Sequence, residues 1–171
     1  MNLDFYIAHR VAARLGVILV ALGFLASPLA AATQMVTNTA ASGAGSLSQA
    51  VSNAAAGDTV LFNIAVLPAT ITLSAPLTIS KSLNFVGQGP ANTIVSGSTS
   101  EQILVVSGGD LNLTGLSLEN GDFDATGSDF GAALEMKGSV GTVTATLCSI
   151  SNNFEYSTTS MEGGAIYVGE G

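Results

Sequence analysis

The sequence predicts an all-β fold, a parallel β-helix in which each coil contains three short strands, closed at its N-terminal end by a short α-helix. Two observations carry this prediction. The second half of the chain repeats itself at two closely similar shifts, which is typical of architectures built from stacked units. The repeated units are rich in Gly, Asn, Ser, Thr, Val, Leu and Ile, the residues of tight turns and half-buried strands.

The repeat can be read by sliding the chain along itself. The longer shift places 109–121 on 141–153, and the shorter shift places 83–87 on 111–115. A unit of this size cannot bury its apolar face alone, so neighbouring units must bury it for each other. The sequence therefore predicts coils stacked one on the next.

Equivalent residues of successive coils are expected to form ladders along the stack. Leu118 aligns with Ile150 and predicts an aliphatic ladder inside the coils. Asn120 aligns with Asn152 and predicts an amide ladder at a turn.

Three series of short strands follow from this alignment, one for each side of a coil. The first series comprises residues 77–79, 103–106, 134–136 and 166–168. The second series comprises residues 83–86, 111–114 and 143–146. The third series comprises residues 93–95, 116–118 and 148–150. Within each strand, alternate side chains are expected to point into the coil.

One segment departs from the strand pattern and predicts a helix over residues 46–56. Ser46 can cap its N-terminus, and Gln49, at the third position after it, completes a capping box. Gly57 is expected to end the helix. Because a helix of this length is marginal alone, we expect its apolar face to cover the N-terminal end of the stack. Residues 33–75 then form the cap and first strands, and residues 76–171 form the coils.

The C-terminal end of the sequence predicts an incomplete fold. Residues 163–168 align with 131–136, so they begin a fourth coil whose remaining strands would follow the last residue given. We therefore expect a fragment of a longer solenoid. Segments 122–130 and 154–162 lie between units and are expected to form surface loops.

Residues 1–32 have the pattern of a secretory signal peptide. Arg10 and Arg14 precede a short, mostly apolar run, 15–26, and the alanines at 30–32 then supply an A-x-A site for cleavage after Ala32. A membrane anchor is the alternative, but a span needs about 20 apolar residues and Pro28 interrupts this run. We expect an exported chain with no transmembrane anchor.

The charge balance excludes several classes of partner and reaction. The chain carries a net charge of −8, and removal of the leader would leave Lys81, Lys137 and eleven acidic residues, a net charge of −9. Such a surface repels phosphate backbones, so we expect no nucleic-acid partner. The mature part would contain neither Arg nor His. Cys148 is the only cysteine, so it forms no internal disulfide and is expected to be a small core residue.

Several motifs resemble those of secreted bacterial right-handed parallel β-helix proteins of the pectate-lyase-like superfamily. Residues 45–50 read GSLSQA and residues 56–60 read AGDTV, similar to the opening of such proteins, although Ser48 stands where the pattern has Arg. Residues 150–153 and 163–166 look like the paired motifs of polymorphic outer-membrane protein repeats. The resemblance, which covers about residues 34–171, implies right-handed coiling, export to the medium or the cell outer membrane, and surface or adhesive roles, often within longer chains.

The same scaffold also implies an enzymatic alternative. β-Helix polysaccharide lyases use Arg or Lys beside a carboxylate-bound Ca²⁺, and β-helix hydrolases use paired carboxylates. Lys81 has no acidic residue near it in sequence, and the chain contains no Asp-Asp pair. We therefore expect no catalytic residues in this chain and no cofactor, with a site beyond it as the alternative.

One acidic segment suggests a metal site. Asp122, Asp124 and Asp129 place oxygen ligands near a Gly turn, as in a calcium loop. A bidentate acid would be needed at the twelfth position, which is Ala133. A solvated acidic loop is the other interpretation.

Two hypotheses about function follow. The first is a non-enzymatic structural or adhesive module of a bacterial surface or secreted protein, with host or matrix glycans or surface proteins as partners. The second is the N-terminal part of a polysaccharide-active enzyme, a lyase or glycoside hydrolase, whose active site lies beyond this chain. Under either hypothesis, unpaired strand edges at the open end of the stack predict self-association.

Overall fold

A computed structural model describes residues 30–99, 101–125, 131–138, 141–157 and 164–169, with the backbone alone for residues 123–125 and 156–157. The chain divides into two units, Met1–Ala30 and Ala31–Gly171, and the account below concerns the second. Nearly all of the predicted leader lies outside the described residues.

The second unit is built almost entirely from short strands. In chain order its elements are β1 (Thr33–Val36), α1 (Leu47–Asn53), β2 (Thr59–Phe62), β3 (Ala69–Thr72), β4 (Leu77–Ile79), β5 (Leu83–Val86), β6 (Thr93–Ser96), β7 (Leu104–Val106), β8 (Leu111–Thr114), β9 (Ser117–Glu119), β10 (Asp122–Ala125), β11 (Leu134–Met136), β12 (Val143–Thr146), β13 (Ser149–Ser151), β14 (Phe154–Ser157) and β15 (Ile166–Val168). Short turns connect most of them, as expected for a compact repeat fold.

The strands form three main sheets that the chain visits in turn. Sheet I has the order β1-β2-β5-β8-β12, sheet II has β13-β9-β6-β3, and sheet III has β15-β11-β7-β4. From β2 onward the chain passes from sheet I to sheet II to sheet III and returns to sheet I. Every strand pair is parallel. Parallel sheets are therefore stacked in a solenoid-like arrangement.

The three predicted strand series lie in three separate sheets, although β9 and β13 of the third series begin one residue later than predicted. The shorter shift pairs Leu83 with Leu111, and the longer shift pairs Leu111 with Val143 in sheet I. In sheet II, Leu118 pairs with Ile150, as the predicted aliphatic ladder requires. The register follows the sequence repeat because a slip by one residue would turn every inward side chain outward.

Each of the two predicted surface loops begins with a strand. Residues 122–125 and 154–157 form β10 and β14, a further two-stranded parallel sheet that pairs Asp122 with Phe154. These segments share no residue pattern, but the longer shift also places one on the other. Because each segment follows the sheet II strand of its coil, β9 or β13, their backbone N–H and C=O groups come within pairing distance. The remainder of both segments lies outside the described residues.

Helix α1 is shorter than predicted and ends for a different reason. Its N-cap is Ser46, whose Oγ accepts the Gln49 N–H at 3.2 Å, as expected. Gln49 does not complete the box but donates to Asn53 at 2.8 Å. The helix ends at Asn53 because Ala54 is extended and the Ala55 N–H donates to the Asp58 carboxylate at 2.8 Å.

The core runs along the inside of the coils. The buried face of α1 comprises Leu47, Ala50 and Val51, and the helix contacts β1 and β2 at the first end of the stack. Further along, the Phe62 and Phe85 rings meet edge to face, with centroids 6.1 Å apart. Burial of this continuous apolar column stabilises units that could not fold alone.

Asparagines at the turns join successive coils. Asn120 and Asn152 both have left-handed φ angles, 56° and 55°, a conformation that Asn tolerates better than most residues. At this turn, the side-chain amide bonds that join two coils come from the next residue, Asn153. Its Oδ1 accepts the Gly121 N–H at 2.8 Å and its Nδ2 donates to the Leu118 carbonyl at 3.1 Å.

We expect Asn153→Ala to lower the free energy of unfolding by about 1–3 kcal/mol, because it leaves backbone groups of the neighbouring coil without partners. Urea denaturation followed by circular dichroism measures the change. The control is Gln49→Ala, which removes an exposed side-chain bond to Asn53 and is expected to change stability by less than about 0.5 kcal/mol. Equal effects of the two substitutions would contradict the bridging role of Asn153.

Candidate functional site

A row of neutral polar side chains follows the outer surface of sheet I. Thr59 pairs with Asn84, Asn84 with Asn112, and Asn112 with Thr144. These four residues, hereafter the polar face, alternate with inward residues such as Leu83 and Leu111. They therefore present one hydroxyl or amide group per coil, at the roughly 4.8 Å spacing of adjacent strands.

Each asparagine of the polar face donates a hydrogen bond toward the preceding coil. Asn112 Nδ2 donates to Asn84 Oδ1 at 2.9 Å, and Asn84 Nδ2 donates to the Gly57 carbonyl at 3.3 Å. This chain of bonds holds the two amide planes in a fixed orientation on the outside of the sheet. Such preorganised donors and acceptors suit a ligand that is itself rich in hydroxyl groups.

A shallow groove lies near the N-terminal end of the stack and has a volume of about 550 Å³. Its lining residues are uncharged and belong to two chain segments: Thr37, Asn38, Thr39, Ile64, Ala65, Val66, Pro68, Ala69 and Thr70. Volumes of this order accommodate small ligands. Because none of these side chains is ionisable, the groove offers hydrogen bonding and apolar contact but no proton transfer.

The most buried carboxylate of the N-terminal region belongs to Asp58, which is 3% exposed. Oδ1 accepts the Ala32 N–H at 2.7 Å and Oδ2 accepts the Ala55 N–H at 2.8 Å. The N–H groups of Ala55 and then of Ala32 lower the pKa of Asp58 below its ordinary value, and Gln34 and Lys81 act in the same direction against the opposing effect of burial. The charged form therefore holds the start of β1 against β2 and the end of α1.

The lowered pKa of Asp58 predicts a loss of stability in acid. A group whose pKa is depressed by folding contributes stability above its unfolded pKa, about 3.9, and that contribution disappears as the pH falls through the folded value. We expect the unfolding temperature to fall below about pH 4 and Asp58→Asn to reduce this fall while lowering the unfolding temperature at pH 7. Thermal melts at a series of pH values measure both. Parallel curves for the two proteins would contradict the prediction.

The contacts of the two lysines of the second unit do not form a catalytic pair. Lys81 Nζ donates to the Ala54 carbonyl, and Lys137 Nζ lies 3.6 Å from Glu135 Oε1. Over the described ranges, no three His, Cys, Asp or Glu side chains come together as metal ligands. The part of the chain that the structure describes contains no catalytic constellation.

The predicted calcium residues are only partly described. Asp122 and Asp124 both lie in β10, two positions apart, whereas Asp129 lies outside the described residues. The side-chain geometry of Asp124 is likewise not described, so the calcium site stays a prediction.

A chelator experiment tests the calcium prediction. If the three aspartates bind Ca²⁺, millimolar Ca²⁺ raises the unfolding temperature and a chelator reverses the rise, since a ligand that binds only the folded state stabilises it. Asp122→Asn should abolish the shift. An unchanged unfolding temperature with and without Ca²⁺ would contradict the site.

An apolar recess of about 160 Å³ lies at the other end of the stack. The last strands contribute inward residues to it, among them Val143, Ile150 and Ile166. Ile166 is 44% exposed, whereas its sheet III partner Leu134 is 2% exposed. Cys148, expected in the core, packs against the core but is only partly buried. Some inward side chains of β12, β13 and β15 are therefore partly accessible.

The chain is a mostly β protein whose stacked parallel sheets are consistent with a solenoid, and sheet I presents a neutral, hydroxyl- and amide-bearing face. No protein-family model, curated protein or solved structure matches the chain. Among the described residues, no helix is long and apolar enough to cross a membrane.

Sequence reasoning missed the polar face although its signal was present. The shorter shift aligns Leu-Asn-Phe-Val with Leu-Asn-Leu-Thr, which places Asn84 on Asn112. The inward leucines of these strands predict the core but not the role of the outward asparagines. The role of Asp58 could not be predicted, because its partners are backbone N–H groups that carry no sequence signal.

Proposed function

We propose that the chain is a non-enzymatic, exported, right-handed parallel β-helix module of the pectate-lyase-like kind, with a structural or adhesive role in a bacterial surface or secreted protein. The cyclic order of three parallel sheets supports the β-helix. The right hand follows from chirality, since crossovers between parallel strands of one sheet are right-handed in about 98% of cases. The signal-like residues 1–32 support export.

The polar face is the observation that carries the adhesive role. Its threonines and asparagines expose neutral donors and acceptors in a regular row, without an ionisable group in the row. A polyhydroxylated chain can hydrogen-bond to such a row at successive coils, and each bond contributes about 0.5–1.5 kcal/mol. Glycans of a host or matrix, or glycosylated surface proteins, are the partners that this chemistry favours.

A binding screen tests this proposal. The exported chain is applied to an array of neutral glycans and to immobilised matrix proteins, and the double variant Asn112→Ala with Thr144→Ala is compared with it. We expect the double variant to bind about tenfold more weakly, the equivalent of one or two lost hydrogen bonds. The matched control is Thr78→Ala, an exposed outward threonine of sheet III, which should bind as the parent chain does.

Three results would count against the proposal. Unchanged binding by the double variant would remove the polar face from the interaction. An equal loss in the Thr78 control would indicate a non-specific effect. Depolymerisation of a polysaccharide by the purified chain would contradict the non-enzymatic role.

The proposal includes self-association through the apolar recess. Strands β12, β13 and β15 are each at the edge of their sheet, and exposed apolar side chains lie on them, such as Val168, 61% exposed. Edges of this kind pair readily with another chain. Size-exclusion chromatography with light scattering should show a species larger than the monomer, and a monomer at all concentrations would contradict the expectation.

A further inference from the structure

Ala32, the residue before β1, forms hydrogen bonds with two adjacent residues, Asp58 and Thr59, where β2 begins. Its N–H donates to Asp58 Oδ1 at 2.7 Å, and its carbonyl accepts the Thr59 N–H at 2.8 Å. Thr33 continues the same pairing, with Thr59 as its partner in the register. Ala32 is therefore part of the folded unit.

This position matters because the leader is predicted to end at the same alanines. Cleavage after Ala32, which the A-x-A pattern predicts, would remove both the donor to Asp58 and the acceptor of Thr59. Asp58 is only 3% exposed, and its Oδ1 would lose this hydrogen bond. The loss of a hydrogen-bond partner by a buried polar group destabilises a fold. Cleavage one bond earlier would preserve both contacts.

We propose that export processing hydrolyses the Ala31–Ala32 bond and that Asp58 then binds the newly formed α-ammonium group of Ala32. The inference rests on the proposed export of the chain. Water supplies the hydroxyl that completes the carboxylate of Ala31, and the released nitrogen takes up protons to become an ammonium group. The mature chain then starts with a cation beside Asp58.

The surroundings of Asp58 suit a cation at this position. The separation of 2.7 Å lies within the range of about 2.7–2.9 Å for a charge-assisted N–H···O bond. Lys81 attracts the carboxylate, but its ammonium group donates to the Ala54 carbonyl. A buried carboxylate is stabilised most when a charge and hydrogen bonds satisfy it together. The α-ammonium group would supply both.

The first test is the mass of the exported product. The full chain is expressed with its leader in a Gram-negative bacterial host, and the protein recovered outside the cytoplasm is measured intact and by N-terminal peptide mapping. A product that starts at Ala32 supports the inference. A product that starts at Thr33 overturns it and leaves export standing. An unprocessed, retained chain overturns both the inference and the export proposal.

The second test asks whether the ammonium group is paired. An α-amino group has an ordinary pKa of about 7.7–8.0, and pairing with Asp58 raises it in the folded state. The pair's contribution is complete below about pH 8 and is lost as the pH rises through the raised value. Lys81 also faces this carboxylate, so the measurement is repeated with Lys81→Gln to remove its charge.

Unfolding temperatures between about pH 7 and 10 provide the readout. We expect the parent and the Lys81→Gln protein to lose stability across this window, and Asp58→Asn to lose less than either. Labelling of the α-amine by an amine-reactive ester at neutral pH should be slower in the folded parent than in Asp58→Asn. Identical pH profiles and identical labelling rates for parent and Asp58→Asn would overturn the pairing.

Discussion

Phe85→Ala is expected to lower the free energy of unfolding by about 3–5 kcal/mol, the range for removing a buried aromatic side chain. Phe85 is 1% exposed and lies in the middle strands of sheet I, where its ring meets Phe62 edge to face. The alanine leaves a cavity in a column of side chains that the neighbouring coils cannot fill by shifting. Because small domains are stable by about 5–15 kcal/mol, this one change removes a large fraction of the total. Guanidinium denaturation monitored by circular dichroism measures it.

Met35→Ala is the matched control on the same sheet. Met35 is 46% exposed on β1, so its truncation is expected to change stability by less than about 0.5 kcal/mol. A loss for Phe85→Ala as small as that of the control would mean that the coils do not share one packed core.

Gly109→Ala is expected to cost at least about 2 kcal/mol, because it adds a backbone clash to a left-handed conformation that costs about 1–2 kcal/mol for a residue with a Cβ. Gly109 has φ 75°. A Cβ there would meet the backbone of the previous coil, with Lys81 Cα at 3.0 Å and the Ser82 nitrogen closer still. Relief of the clash requires the coils to separate at this corner, which would break the strand pairing that follows between Leu83 and Leu111.

Gly138→Ala separates the conformational cost of a left-handed φ from the cost of the backbone clash. Gly138 has a similar φ of 70°, but no described atom lies within 4 Å of the position that a Cβ would take. The control is therefore expected to show only the conformational cost of about 1–2 kcal/mol. Equal losses at the two glycines, measured by thermal melts and chemical denaturation, would contradict the close approach of coils at Gly109.

The strand series were predictable because two signals coincide in them. The two shifts of the repeat locate equivalent positions, and the alternation of apolar residues decides which side chains point inward. Leu83, Leu111 and Val143 satisfy both conditions, and they pair as the shifts require. Register is determined strongly in such strands because one face must be buried.

The errors arose where stability depends on backbone groups. β10 and β14 pair through main-chain atoms, and their sequences, DFDA and FEYS, contain no alternation that would predict it. The end of α1 is decided by the Asp58 carboxylate, which accepts the Ala55 N–H. Backbone donors are the same in every residue, so a sequence pattern does not identify which of them will lie close together.

The candidate site likewise combines features that the sequence predicts with features that it does not. The absence of Arg and His from residues 31–171 can be read from composition, and it excludes catalytic roles for these two residue types there. The amide row of Asn84 and Asn112 was encoded in the shorter shift but depends on both side chains facing outward. The calcium prediction at Asp122, Asp124 and Asp129 rests on spacing alone.

By itself, the sequence determined which strands are equivalent, which side chains face the core, and where a helix covers the first end of the stack, because period and polarity are local properties of the chain. Only the tertiary structure decided that Asp58 holds Ala32, that β10 pairs with β14, and that Asn153 joins two coils. Each of these contacts joins residues that lie about one coil apart in the chain, and stacking of the coils brings them within hydrogen-bonding distance.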